Sequence, residues 1–152
     1  MKELTKEEII DLMQKVRDGV LALTDGKSPY CIPFGFVYIK DSVYLSMFPK
    51  GRKWRYYQQN PMVCFNVFHW NDQYTEWSSV VVDGKMEEVR DLDTIELVVK
   101  ANIEKLGLDP AKYKEKRMSY YRKTLDNPKG VKIFKINAEE MRGRKMAFQL
   151  ES

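Results

Sequence analysis

The sequence predicts a mainly β, α+β fold: six antiparallel strands closing into a barrel, with flanking helices. Three observations lead there. Apolar runs suited to strands recur from Val20 to Ile136, and turn signals separate the early ones. Stripes of helical period are confined to the start, to the stretch after the third strand and to the stretch after the fifth. That many strands in 152 residues dispose of their edges best by closing up. With 43% apolar and 32% charged residues, the chain reads as one domain, 1–152, with a real core.

The first helix has a visible start. Thr5-Lys6-Glu7-Glu8 fits a capping box, and Ile9, Leu12, Met13 and Val16 form one apolar stripe. Gly19 is expected to end that helix. Val20 to Thr24 is the first strand, and Asp25-Gly26 is a tight turn. Tyr30 to Ile39 is a long second strand in which Pro33 and Gly35 signal an edge, a bulge or a close backbone approach. Lys40-Asp41-Ser42 turns the chain into a third strand, Val43 to Met47. A short helix is expected over Arg52 to Gln59, stopped by Asn60-Pro61. Met62 to Phe68 and Trp77 to Glu88 are the fourth and fifth strands, joined by the polar loop Trp70 to Glu76. Ile95 to Leu106 shows a helical face closed by Gly107, and Asp109-Pro110 opens a charged stretch to about Leu125. Gly130 to Ile136 alternates strictly and is the last clear strand. The tail, 138–152, is expected to add a short strand around Lys145-Met146-Ala147-Phe148.

Composition excludes several classes of function. No apolar run approaches the ~18 residues of a spanning helix, and the N-terminus lacks the apolar segment of a secretory signal, so a cytoplasmic protein is expected, with no membrane partner. His69 is the single histidine, and Cys31 and Cys64 lie 33 residues apart, so no metal site is expected and both thiols are read as reduced and buried. The net charge of +4 leans weakly toward anions and gives no ground for nucleic-acid binding. Glu87-Glu88 and Glu139-Glu140 have no identifiable catalytic partner.

Gly51-Arg52-Lys53 is the most informative tripeptide. A helix start offers free amides and partial positive charge, Arg52 a fork of donors and Lys53 a point charge, all of which suit a phosphate. The plain alternative is a solvated basic turn. Trp54, Tyr56 and Tyr57 could stack nucleic-acid bases, but packing is the ordinary explanation; the same holds for Trp70, Tyr74 and Trp77, which could also cover a cofactor. Tyr120 and Tyr121 stand beside Arg117 and Arg122, where they could meet an anionic substrate or form a solvated helix face. His69 at a strand end is read as structural.

These pieces occur together in one order. The capped helix leads to Gly19-Val20-Leu21-Ala22-Leu23, then Pro29 to Tyr38, then Val43-Tyr44-Leu45-Ser46-Met47, then Gly51-Arg52-Lys53 and Asn60 to Phe65. Ser79 to Val89, Phe134-Lys135-Ile136 and Met141-Arg142-Gly143-Arg144-Lys145 complete the set. In this the chain resembles the pyridoxamine 5′-phosphate oxidase-like, FMN-binding split-barrel family, nearest its small single-domain members related to nitroimidazole-resistance proteins. The resemblance implies a six-stranded split barrel and a homodimer with FMN in two interfacial grooves. It also implies Gly51, Arg52 and Lys53 at the FMN phosphate, Pro33, Phe34 and Gly35 along the isoalloxazine ring, Ser46 and Met47 near ring or ribityl chain, and Ser79 as a polar contact. Two departures stand out. Ser46-Met47-Phe48 lacks the histidine many single-domain members carry there, so nitro-group reduction is not implied, and Ser78 replaces a frequent arginine.

The expected function is therefore FMN-dependent oxidoreduction of a small molecule, with no catalytic side chain identified, because the cofactor carries the electron chemistry. A non-catalytic flavin carrier, store or sensor, and the same barrel holding a deazaflavin, remain open readings. A haem version is disfavoured by the lone His69.

Overall fold

The structure, a computed structural model, describes residues 1–148; the end of the tail expected over 138–152 lies outside them. In chain order the elements are β1 (Lys2–Glu3), α1 (Lys6–Lys15), β2 (Asp18–Thr24), β3 (Pro29–Gly35), β4 (Val37–Ile39), β5 (Ser42–Met47) and α2 (Gly51–Gln59). There follow β6 (Met62–Trp70), β7 (Glu76–Val89), α3 (Leu92–Leu106), α4 (Pro110–Leu125) and β8 (Lys132–Ala147). The antiparallel sheet runs β3-β2-β6-β7-β8-β5-β4, with β1 paired to β8. Its two end strands, β3 and β4, are separated in sequence by Phe36 alone. The sheet must therefore curl until its ends meet, which makes it a split barrel. Among the described residues no helix is long and apolar enough to cross a membrane.

The six expected strands become seven on the main path because two tertiary hydrogen bonds divide one of them. The run from Tyr30 to Ile39 breaks at Phe36, whose amide donates to Arg17 O (3.2 Å) and whose carbonyl accepts from Lys105 Nζ (3.0 Å). With both polar groups tied outside the strand ladder, the chain turns a corner. In contrast, the last strand and the expected tail strand are one element. β8 stays paired to β7 along its length because a bulge lets it coil: Asp83 faces Glu140 but Gly84 faces Ala138, leaving Glu139 extra. No bulge occurs at Gly35, which pairs regularly with Asp18.

At the N-terminus the capping box forms in both directions, Thr5 N to Glu8 Oε1 (3.0 Å) and Glu8 N to Thr5 Oγ1 (3.2 Å). α1 ends at Lys15, not at Gly19, which lies within β2. Glycine is needed there for space: a Cβ on Gly19 would stand 2.4 Å from the Phe65 ring.

Alternation along the strands builds two cores. Val43, Leu45 and Met47 of β5 point into the barrel with Leu21, Phe65, Val80, Phe134 and Ile136, and α1 covers one end with Leu12 and Met13. Tyr44 of β5 and Ile133 of β8 point outward, where Ile95, Val98, Val99, Ile103 and Met118 of α3 and α4 pack over them. The charged stretch after β7 is thus a helical pair clamped onto the outside of the barrel, and Ser46 faces it.

Candidate functional site

α2 begins at Gly51, which adopts φ +82°, a left-handed conformation that favours glycine. The N-cap residue, Lys50, makes no side-chain capping bond among the described residues, so the first amides of the helix remain available to an anion. Arg52 is exposed but held: its guanidinium lies 4.3 Å from the Tyr30 ring and 5.1 Å from the Tyr56 ring, and it donates to Tyr56 Oη (3.2 Å) and Pro29 O (3.5 Å). Lys53 makes only a 3.4 Å contact to Lys50 O. Neither cation pairs with a carboxylate among the described residues. The aromatic residues beside them serve packing. Trp54 and Tyr57 lie 6.0 and 5.3 Å from the Phe134 ring and fasten α2 to the barrel, and Tyr56 is buried.

The far end of β3 opens on a cavity of about 370 Å³ between the barrel wall and α3–α4. Phe34, Gly35 and Ser46 line it from the barrel side, and Arg117, Tyr120 and Tyr121 from α4. Ser46 Oγ and Tyr121 Oη share a 2.9 Å hydrogen bond that ties β5 to α4. Gly35 is exposed, and a Cβ there would meet nothing closer than 3.8 Å, so the chain itself does not demand a glycine. The corner at Phe36 is fixed by Lys105 of α3, which also donates to Met13 O (3.1 Å) and sits 3.8 Å from the Phe36 ring. Burial pushes the Lys105 ammonium down to about 8, with Asp18 pulling the other way.

The structure thus gathers Phe34, Gly35 and Ser46 at one end of β3, and Gly51, Arg52 and Lys53 at the other, with exposed Pro33 on the strand between. Met47 departs from expectation in its side chain, which is 2% exposed and belongs to the barrel core; only its backbone remains for a ligand. Ser79 is not brought to the others. It lies on β7, across β2 and β6 from β3, accepts from Asn66 Nδ2 (2.9 Å) and pairs with Arg144. The thiols differ too: Cys31 is exposed and Cys64 half-buried, because both occupy outward positions flanking Ala22 of β2. Burial, then Asp83, pushes the Cys64 thiol up to about 11. Trp70, Tyr74 and Trp77 form an aromatic cluster with Phe68 and Phe148, remote from β3. The sequence left Arg117 and Tyr121 between an anion contact and a solvated helix face; the fold turns both toward the cavity.

An uncapped helix start and two cations unpaired among the described residues are thus joined to an open cavity along one end strand of a split barrel. The sequence matches the family model for pyridoxamine 5′-phosphate oxidase over residues 5–145, and the chain belongs to that family. No curated protein matches it significantly. Among solved structures it is similar to a candidate 5-nitroimidazole antibiotic resistance protein from Bacteroides thetaiotaomicron, with a TM-score of 0.73 and 22% identity over 95% of this chain and 86% of that one. It is also similar to a FAD-binding protein from Mesorhizobium loti (TM-score 0.70, 26% identity, 95% of each chain). A third is the FAD-binding protein from Mycobacterium smegmatis (TM-score 0.68, 18% identity, 97% of this chain and 100% of that one). The likenesses to the first and third are likenesses of fold.

Proposed function

We propose that the protein binds FMN and acts as an oxidoreductase on a small molecule, working as a homodimer. The observation that carries this reading is the span of β3. Tyr30 at one end lies under Arg52, and Gly35 at the other opens on the cavity. Five residue steps cover about 16 Å, the scale of FMN extended from phosphate to ring.

The first amides of α2 donate to the phosphate, and Arg52 and Lys53 neutralise it. Arg52 is preoriented between two tyrosine rings, so little freedom is lost when it binds. β3 is an end strand of the sheet, so one row of its backbone N–H and C=O groups is free to meet the polar edge of a flat heterocycle. Gly35 leaves room for a ring to lie close, and Ser46 holds a hydroxyl beside it. FMN, when bound, supplies the hydride and electron transfer. The protein excludes water through the α3–α4 wall and positions the reactants.

The dimer reading rests on the outer sheet face. Val20, Met62 and Phe68 are 38%, 41% and 50% exposed there, more apolar surface than a strand face turned to water usually shows. Ser79 shares that face, so its contact to a flavin would come from the second protomer. The presence of FAD in the names of two similar proteins supports a flavin of some kind.

The test is an absorption spectrum of the purified protein, then titration with FMN and with FAD, and sedimentation to give the mass. One FMN per chain on a dimer is expected. A folded, colourless protein that binds neither nucleotide removes the flavin reading; preference for FAD corrects the cofactor; a monomer removes the dimer.

A further inference from the structure

We propose that the cavity between the barrel wall and α3–α4 binds a small organic anion, a carboxylate with a flat apolar body, anchored by Arg117. The inference names a substrate class for the proposed oxidoreductase, and it rests on that reading only in placing the anion against a ring bound along β3. The binding itself uses residues of one protomer and needs no cofactor.

Arg117 is the one charged residue among the described residues lining the cavity. It is half-buried, donates through one nitrogen to Asn102 Oδ1, and lies 5.9 Å from the Tyr113 ring. No carboxylate among the described residues stands within 4.0 Å of it. A guanidinium has five N–H donors and stays protonated, so most of this fork is unmet by protein. The Asn102 contact sets its direction, because the amide oxygen is spent on Arg117. Ser46 and Tyr121 add a hydroxyl pair, and Val98, Val99 and Phe34 supply apolar walls. Such a balance, mostly apolar with a few convergent polar groups, is that of a ligand site.

The wider field has the same sign. α4 carries six cations and one carboxylate, Glu115, which is already bound to Arg122 at 3.0 Å. An anion would be drawn to this wall and a cation repelled. The cavity volume of about 370 Å³ is near the lower end for ligand sites, which suits a single-ring acid.

The probe is benzoate, with benzamide as its neutral isostere, each titrated calorimetrically into the purified protein. Benzoate should bind at least tenfold more tightly than benzamide. Arg117→Gln should weaken benzoate by about 10- to 100-fold, the usual value of a charge-assisted contact. Arg117→Lys should fall between, since it keeps the charge and loses the fork. Equal affinities for the two probes, no benzoate binding, or unaltered benzoate binding in Arg117→Gln would overturn the proposal. So would loss of benzoate binding in Arg52→Ala/Lys53→Ala alone, which would move the anion to α2. Should Arg117→Gln lose its native circular dichroism, the wild-type ratio and Arg117→Lys still decide. Benzoate binding without FMN binding would sink the flavin reading and keep this site; FMN binding without benzoate would do the reverse.

Discussion

Replacing Arg52 and Lys53 together by alanine separates cofactor binding from folding. In the free protein Arg52 makes two ring contacts, at 4.3 and 5.1 Å, and a 3.2 Å hydrogen bond to Tyr56. At exposed sites each ring contact contributes about 0.5–1 kcal/mol and the hydrogen bond about 0.5–1.5 kcal/mol. Lys53, with one 3.4 Å contact, adds little. The double variant should therefore lose about 1.5–3.5 kcal/mol of a total near 5–15 kcal/mol and stay folded. Toward a bound phosphate the two cations act differently, because each charge-assisted contact is worth about 1.5–3 kcal/mol. Losing both should raise the FMN Kd by about two to four orders of magnitude. Fluorescence quenching on FMN titration gives the Kd, and far-ultraviolet circular dichroism with a melting curve monitors the fold. A natively folded variant whose Kd moves less than about tenfold would refute the phosphate assignment, because the electrostatic half of the argument would then be missing.

Other expectations follow from packing and charge. Phe134 is fully buried and carries Trp54 and Tyr57 of α2, so Phe134→Ala should cost about 3–5 kcal/mol, or about 6–20 °C in Tm; a loss under 1 kcal/mol would mean that α2 is held by something else. The Glu8 carboxyl is held down to about 2, first by Lys145 Nζ at 2.6 Å and then by the Thr5 amide. Its folded value lies below its ordinary 4.5, so its stabilising contribution is complete above pH 4.5 and disappears as pH falls toward 2. Urea midpoints across that window should fall less steeply for Glu8→Gln than for wild type, and parallel curves would remove the linkage. At pH 8 a thiol reagent should label exposed Cys31 first, and Cys31→Ser should leave one slow thiol, since the Cys64 thiol is pushed up to about 11; equal rates would contradict the burial of Cys64.

How much of this was legible in the sequence depends on the range of the interaction involved. The capping box at Thr5 and Glu8, the stop at Asn60-Pro61 and the αL closure at Gly107 are decided within a few residues, and each stands where the sequence puts it. Strand alternation likewise needs no distant information. The misread features all have remote causes. Gly19 looks like a helix terminator because its true reason, the Phe65 ring, is 46 positions away. The break at Phe36 depends on Arg17 and Lys105, and the long β8 on a bulge opposite Gly84. Cys31 and Cys64 read as buried because their strands are apolar on both faces, whereas the register turns both outward.

The same distinction divides the site. Gly51-Arg52-Lys53 could be read locally, because a positive-φ start, free amides and two cations are all in one turn. The opposite end could not. Gly35 becomes part of a cavity only because β3 and β4 are the two ends of one sheet, and the wall facing it comes from a helix more than 70 positions later. In isolation α4 is a weakly patterned, strongly basic helix, and the natural reading is a solvated face. What changes that reading is β5: its alternation sends Val43, Leu45 and Met47 inward and therefore Tyr44 and Ser46 outward, so the apolar side of α3–α4 has a surface to cover. Once the helices dock there, Tyr121 meets Ser46 and Arg117 enters the cavity beside β3. Barrel closure therefore places the Arg52–Lys53 end and the cavity end on one strand, while the helical pair supplies the charged and hydroxyl groups that face the cavity.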